Sequence, residues 1–164
     1  MVYREAFTVQ TTDRGVSFHD VTEHVRKIVS ASQVRDGIAV VGSQYTTCAV
    51  ITQECAFDMS MTGLETLQQD LVNVFEKWIP TCRYEGMYLY PGDKALAHAR
   101  EQGEDAFSCY NADAYLRSSI IGRSETIILE NGEMDLGDFG RIHFIDWDQT
   151  GSHERAIQVT IIGE

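Results

Sequence analysis

The chain contains five histidines, the side chains that most often bind transition metals or transfer protons near neutral pH. No two of them are four residues apart, and the HExxH pattern of helical zinc sites is absent. The sequence also lacks the GxSxG turn of serine hydrolases, the P-loop and the GxGxxG dinucleotide motif. Candidate residues must therefore be sought singly, and it stays open whether a pocket is reached by His98, His143 or His153.

Several other polar residues lie where a strand ends or a helix begins. Glu54 follows an apolar run, and a carboxylate in that position could act as a general base, although simple exposure to solvent is the alternative. Asn111 is a good helix N-cap, and Asp113 lies in the turn that follows it. Arg117, on the same predicted helix, offers a bidentate clamp for phosphate or carboxylate, or else is an ordinary surface arginine.

The four cysteines do not form a recognisable framework. They lie at positions 48, 55, 82 and 109 and include no CxxC pair. Cys48 belongs to an apolar run, where a thiol packs as a small hydrophobic group. Cys55 follows an acidic residue, and nothing nearby supplies the positive charge that activates a thiol. We expect no disulfides.

Composition excludes some classes of partner. The chain has 25 acidic and 13 basic side chains, a formal net charge of -12, which opposes binding to nucleic acid or anionic lipid. No stretch approaches the ~20 apolar residues of a spanning helix, and the first residues lack the apolar core of a secretory signal. We therefore expect a cytoplasmic protein with no nucleic-acid or membrane partner.

Hydrophobic periodicity predicts both strands and helices around these residues. Strands are expected at 3–11, 16–18, 38–42, 48–52, 125–130, 140–147 and 155–162. Helices are expected at 22–32, 62–78, 94–101 and 112–121, the last ending at Gly122. Asn131-Gly132 is a hairpin signal between strands 125–130 and 140–147.

The helix at 62–78 has the clearest pattern. Its apolar residues recur at three and four positions and predict one buried face, formed by Leu64, Leu67, Leu71, Val74, Phe75 and Trp78. The segment 81–110 that follows has little periodicity. A connection of that length in a compact domain is usually functional or mobile.

Five phrases, in this order along the chain, carry a more specific resemblance. They are Tyr45-Thr-Thr-Cys-Ala-Val-Ile-Thr-Gln-Glu54, Asp70-Leu with Trp78-Ile-Pro80, Asn111-Ala-Asp-Ala-Tyr-Leu-Arg-Ser-Ser-Ile-Ile-Gly122, Met134-Asp-Leu-Gly137, and Ile161-Ile-Gly-Glu164. Together they resemble the YjbQ-like family, often labelled secondary thiamine-phosphate synthases. The resemblance implies one α+β domain over residues 1–164, with a mixed β-sheet packed with helices, and a homotrimer.

The family pattern has three histidines that are thought to converge on a pocket. The resemblance aligns them with Tyr45, Tyr90 and Tyr115 of this chain, and a basic residue of the family's C-terminal phrase with His153. A phenol has a pKa near 10 and is a poor ligand for divalent metals beside imidazole. We therefore expect no transition metal, whereas Mg²⁺ is expected only if a phosphorylated substrate binds.

The resemblance leads to two main hypotheses, beside a third in which the protein is a purely structural trimer without an ordered pocket. In the first, the protein is synthase-like and binds a small anionic metabolite at a subunit interface, with Glu54, Tyr45 and Tyr115 as catalytic candidates. The ligand-binding candidates are Thr46, Thr47, Tyr90, Asn111, Asp113 and Arg117. In the second, the protein is a re-purposed or non-catalytic trimer that binds a ligand or partner without metal chemistry, and the tyrosines either hydrogen-bond to it or only fill the space.

Overall fold

Eight strands and four α-helices make up the chain, and the computed structural model describes all residues 1–164. The strands are β1 Val2–Gln10, β2 Ser17–Asp20, β3 Gly37–Gly42, β4 Cys48–Glu54, β5 Ser124–Glu130, β6 Glu133–Met134, β7 Gly140–Asp146 and β8 Glu154–Gly163. The helices are α1 Thr22–Ser32, α2 Thr66–Trp78, α3 Asp93–Glu101 and α4 Ala112–Ile121, with a short 3-10 turn at Ala106–Cys109. None of the helices is both long and apolar enough to cross a membrane.

The strands form two sheets, and every pair of neighbours in them is antiparallel. One sheet has the order β1-β8-β3-β5-β6, and the other has the order β2-β7-β4. The fold is therefore a single α+β domain, but the prediction of a mixed sheet was wrong. A mixed sheet needs at least one parallel pair, and here β8 returns antiparallel to both β1 and β3.

The predicted Asn131-Gly132 turn exists but joins a different pair of strands. Both residues have positive φ, 53° and 84°, as a two-residue hairpin turn of type I′ requires. The turn connects β5 to the two-residue β6, with Glu130 opposite Glu133. The expected partner, β7, lies in the other sheet because the chain crosses over after Met134.

Alternating side chains of the three-stranded sheet supply two hydrophobic cores. On β7, Ile142 and Phe144 face the larger core, which lies between the two sheets and includes α1. Ile145 faces the opposite way, into a smaller core with Phe75 of α2 and Ala114 of α4. A buried side chain of this size stabilises the fold by about 1.5–3 kcal/mol. The sheet is thus covered on both faces, and α4 is fixed against it.

Helix α2 begins later than predicted, and most of its apolar stripe is not buried. It starts after Glu65, whose side chain caps the helix together with that of Gln68. Of the expected apolar face, only Phe75 is fully buried, whereas Trp78 is 72% exposed. The prediction of one buried stripe was therefore wrong, and part of this helix presents apolar surface to solvent.

Candidate functional site

A polar cavity of about 560 Å³ opens where the loop before β4, the start of α4 and the loop before β8 meet. Its wall is completed by the segment between α3 and the 3-10 turn. Among the sequence-predicted site residues it includes Tyr45, Thr46, Thr47, Asn111 and Tyr115, and the rest of the lining is Gln44, Glu104, Asp105, Ser108, Asp148, Thr150, His153 and Arg155. Tyr45 and Tyr115 therefore share one space.

Tyr45 is held by the turn between β3 and β4 and by β8. Its backbone N–H donates to Ser43 Oγ (3.1 Å), which tightens the turn. Its phenol oxygen accepts a hydrogen bond from the backbone N–H of Ala156 (3.3 Å) and keeps its own proton to donate. The guanidinium of Arg155 lies 4.7 Å from the ring centre. The ring is thus fixed in place, and its hydroxyl has a donor to offer.

Arg155 is also fixed from the opposite direction. Its Nε donates to Asp146 Oδ2 at 2.8 Å, and Asp146 is fully buried. Burial lowers the pKa of Arg155, but the hydrogen bond and charge of Asp146 outweigh burial and raise the pKa overall. Burial also raises the pKa of the neighbouring Cys48 thiol to about 12, with Asp146 adding to the shift. Cys48 is therefore an inert core thiol.

Asp148 organises the back of the cavity. One carboxylate oxygen accepts from the N–H and hydroxyl of Thr150 (2.9 and 2.6 Å). The other accepts from Asn111 Nδ2 (3.2 Å) and lies 3.8 Å from His153 Nε2. This assignment leaves Asn111 Oδ1 without a hydrogen-bond partner, although the residue is only 6% exposed. A buried acceptor without a donor is costly unless a ligand or water supplies one.

The charge of the lining is negative on balance. Glu104, Asp105 and Asp148 contribute three carboxylates, whereas Arg155 is the only Arg or Lys and already pairs with Asp146. His153 is the only histidine in the lining. Acidic side chains near one another favour a ligand or ion of positive charge.

No group of three or more His, Cys, Asp or Glu side chains is arranged to hold a metal ion. His153 is the one histidine near the two phenols, while His98 and His143 lie outside the cavity lining. His143 is buried on β7, with Nδ1 3.5 Å from Gln68 Nε2. The cavity walls instead offer hydroxyl, amide and carboxylate groups.

Glu54, the predicted general base, does not line this cavity. It is exposed at the far end of β4, opposite Gly140. The rise of a strand places it roughly 20 Å from Cys48, the first residue of β4. The prediction assumed that the strand end nearest Glu54 faces the pocket, but the cavity is at the other end.

Arg117 and Asp113 also lie outside the lining. Arg117 is fully buried, and its Nε and Nη2 donate to the carbonyl of Ile79 (3.0 and 2.7 Å). Nη2 also pairs with Glu76 at 3.0 Å. Asp113 accepts from the N–H of Cys82 at 2.9 Å. Both residues thus connect α4 to the segment after α2, and neither contributes to the lining of this cavity.

Tyr90 lies next to Tyr115 but outside the polar cavity. The two rings meet edge to face with centroids 5.5 Å apart. Burial and the neighbouring Tyr115 raise the pKa of Tyr90 to about 12, so this phenol is not activated as an acid. Tyr90 and Tyr115 instead line an apolar hollow of about 660 Å³ with Tyr88, Leu89, Ala112 and Leu116.

Asp148 and Arg155 were not predicted from the sequence as ligand contacts. Asp146 is the last residue of β7, Asp148 follows two residues later, and Arg155 is the second residue of β8. Two aspartates, two residues apart at the end of a predicted strand, were the sequence feature that could have indicated this site. Their convergence depends on the return of the chain from β7 to β8, which local periodicity does not reveal.

Comparison with known proteins assigns the chain to a family. The family model described as "UPF0047 protein YjbQ-like" matches residues 5–164. A UPF0047 protein of Methanothermobacter thermautotrophicus is 28% identical over 99% of this chain and 96% of its own length. A second, from Methanocaldococcus jannaschii, is 29% identical over 93% of this chain and 90% of its own length.

Solved structures agree. An uncharacterised YjbQ/UPF0047 protein of Clostridium acetobutylicum superposes with a TM-score of 0.71 at 27% identity, covering 96% of this chain and 99% of that one. A protein of unknown function from Sulfolobus solfataricus shares the fold, with a TM-score of 0.76 at 22% identity, covering 100% and 99% of the two chains. The chain therefore belongs to the YjbQ-like family UPF0047, whose members named here carry no stated function.

Proposed function

We propose that this protein binds a small polar metabolite in the cavity between Tyr45 and Tyr115, by hydrogen bonding and not by coordination to a transition metal. The observation that carries the proposal is the buried Asn111 Oδ1, an acceptor without a donor on a residue that lines that cavity. Cavities of 300–1,000 Å³ with a few fixed polar groups are typical of small-ligand sites. The cavity between Tyr45 and Tyr115 has a volume in this range and several fixed polar groups.

The groups that would contact a ligand are held before it arrives. Tyr45 is fixed by Ala156 and Arg155, and Asp148 is fixed by Thr150 and Asn111. A site whose side chains are already ordered loses less conformational entropy on binding. The proposed role of the cavity is therefore to bind a ligand, and whether a reaction follows depends on that ligand.

Synthase-like joining of a pyrimidine diphosphate to a thiazole phosphate is the second candidate function. Its substrates are anionic, and the three carboxylates of the lining would repel them. Those same carboxylates favour a divalent ion, because Mg²⁺ commonly binds through one or two carboxylates together with substrate phosphates. An anionic metabolite is therefore expected to bind in this cavity only together with Mg²⁺.

We also propose that the protein assembles as a homotrimer. A closed three-fold ring uses two different patches on each chain. One candidate patch is the exposed stripe of α2, formed by Leu67, Val74 and Trp78. The other is a row across the outer face of the five-stranded sheet, formed by Val2, Ile162, Ile38 and Ile128. Exposed apolar patches of this kind mark protein interfaces.

The proposed location is the cytoplasm. All four cysteines are free thiols, and three of them are buried. Free thiols without disulfides are the usual state of proteins in reducing compartments. The acidic surface implied by the net charge of -12 supports the absence of nucleic-acid and membrane partners.

The test is to identify what the cavity retains. Protein purified without denaturation would be extracted, and its small molecules compared by mass spectrometry with those from the Tyr45→Phe, Tyr115→Phe double variant. We expect at least one compound to be depleted in the double variant and retained in Tyr84→Phe, a control phenol that is exposed and outside the cavity. Equal retention by all three proteins would overturn the proposal.

A further inference from the structure

The acceptors of the cavity call for a ligand that donates hydrogen bonds. Asn111 Oδ1 is unpaired and buried, and Asn111 lines the same cavity as Asp148. Glu104 and Asp105 add two exposed carboxylates at the rim. An ammonium group supplies three N–H donors and a positive charge, and an aromatic ring such as that of Tyr115 attracts such a cation.

Tyr115 also lines a second surface of a different kind. The hollow of about 660 Å³ beside the cavity is lined only by apolar and aromatic side chains. Leu116 is 44% exposed there, and Leu89 is fully exposed. Because Tyr115 contributes to both linings, the polar cavity and the apolar hollow adjoin at this side chain.

We infer that the ligand is an organic ammonium ion joined to a short aromatic or aliphatic group. The ammonium lies among Asp148, Asn111 Oδ1 and the rim carboxylates, and the apolar group crosses Tyr115 to rest on Leu116 and Tyr90. This inference rests on the proposed function, since it names the class of metabolite for the same cavity. It differs from the anionic ligand implied by the family resemblance, and it accounts for the acidic lining without an added metal ion.

Three probe molecules test the charged part and the apolar part of the proposed ligand independently. Phenethylammonium has both the charge and the ring, ethylammonium lacks the ring, and 3-phenylpropionate has a ring with the opposite charge. Titrated into the full-length protein at pH 7 by calorimetry, phenethylammonium should bind at least about tenfold more tightly than ethylammonium, because a ring buries more apolar area. 3-Phenylpropionate should show no binding.

Variants assign the contacts. Asp148→Asn keeps the size of the side chain and should weaken both ammonium probes by about tenfold, since it removes a charge-assisted partner. Glu104→Gln lies on the exposed rim, where folding is not at risk, and should weaken both by about two- to threefold. Leu116→Ser should weaken phenethylammonium only. Glu130→Gln, an exposed carboxylate on β5 outside the cavity, is the matched control and should change nothing.

The outcomes distinguish the inference from the proposed function. Tighter binding of 3-phenylpropionate, or binding that requires Mg²⁺, would overturn the ammonium assignment and leave a metabolite site in place. Ammonium affinity unchanged by both Asp148→Asn and Glu104→Gln would also overturn it. If no probe binds, the ammonium assignment is wrong, and the extraction experiment then decides separately whether the cavity binds any metabolite.

Discussion

The guanidinium of Arg155 lies between two groups that hold it in one place. On one side its centre is 4.7 Å from the centre of the Tyr45 ring, and on the other its Nε donates to buried Asp146 at 2.8 Å. Arginine stacks on aromatic faces and pairs with carboxylates in fixed geometry. The position of the Tyr45 phenol is thus set by interactions that do not involve a ligand, and its hydroxyl remains available to one.

Removing the Tyr45 hydroxyl should have a small effect on stability and a large effect on binding. Tyr45→Phe loses the acceptor of the Ala156 N–H, which is expected to cost about 1 kcal/mol in the free energy of unfolding. The ring and its contact with Arg155 remain. Chemical denaturation measures the first effect, and the amount of retained metabolite measures the second. Full retention of the metabolite by Tyr45→Phe would show that this phenol is only space-filling.

The second prediction concerns the ion pair at the end of α2. Burial raises the pKa of Glu76, but hydrogen bonds from Thr81 and Arg83 outweigh burial, and the pKa falls from 4.5 to about 2. Arg117 adds to that lowering. A carboxyl whose pKa is lower in the folded state stabilises the fold above the unfolded pKa, and this contribution is lost as the pH falls toward the folded pKa.

Glu76→Gln should therefore destabilise the protein at pH 7, and the difference from wild type should shrink as the pH falls from about 4.5 to about 2. Denaturant unfolding across that range measures it. Glu130→Gln, an exposed carboxylate with no ion pair, is the control and should show no such pH-dependent difference. A destabilisation that stays constant across the range would contradict the assignment of Glu76.

The proposed trimer predicts the effect of charge on two separate patches. Trp78→Glu on α2 and Ile128→Glu on β5 each place a carboxylate on exposed apolar surface, so either one should prevent assembly. Light scattering after size exclusion should give three chain masses for wild type and one for each variant. Asn73→Glu, on the exposed polar side of α2, is the matched control and should remain trimeric. A wild-type protein that runs as a monomer would contradict the proposal.

Much of the fold could be predicted because local signals determined it. Asn111 before α4 and Gly122 after it mark the observed bounds Ala112–Ile121, although the Asn111 side chain donates to Asp148 and does not cap the helix. The hairpin at Asn131-Gly132 was found from two residues, but its second strand is β6, since strand pairing depends on contacts far apart in sequence. The stripe of α2 was expected to be buried because sequence does not distinguish an apolar face that packs in the core from one that stays exposed.

The candidate site was less predictable than the elements that carry it. Tyr45 and Tyr115 were found through the family phrases, and they do line one cavity. Glu54 lies at the end of β4 as expected, but the cavity is at the other end of that strand, and Arg117 is buried against Ile79. Neither position could be predicted, because the side of the fold on which a residue lies depends on tertiary packing that one sequence does not display.

We propose that the cavity binds its ligand by hydrogen bonds from fixed polar groups and not through a transition metal. The most direct test is elemental analysis of wild-type protein purified without chelators and dialysed after incubation with equimolar Zn²⁺. We expect zinc and other transition metals to be present at far below one ion per chain. One tightly held zinc per chain, lost in the Tyr45→Phe, Tyr115→Phe double variant, would contradict it.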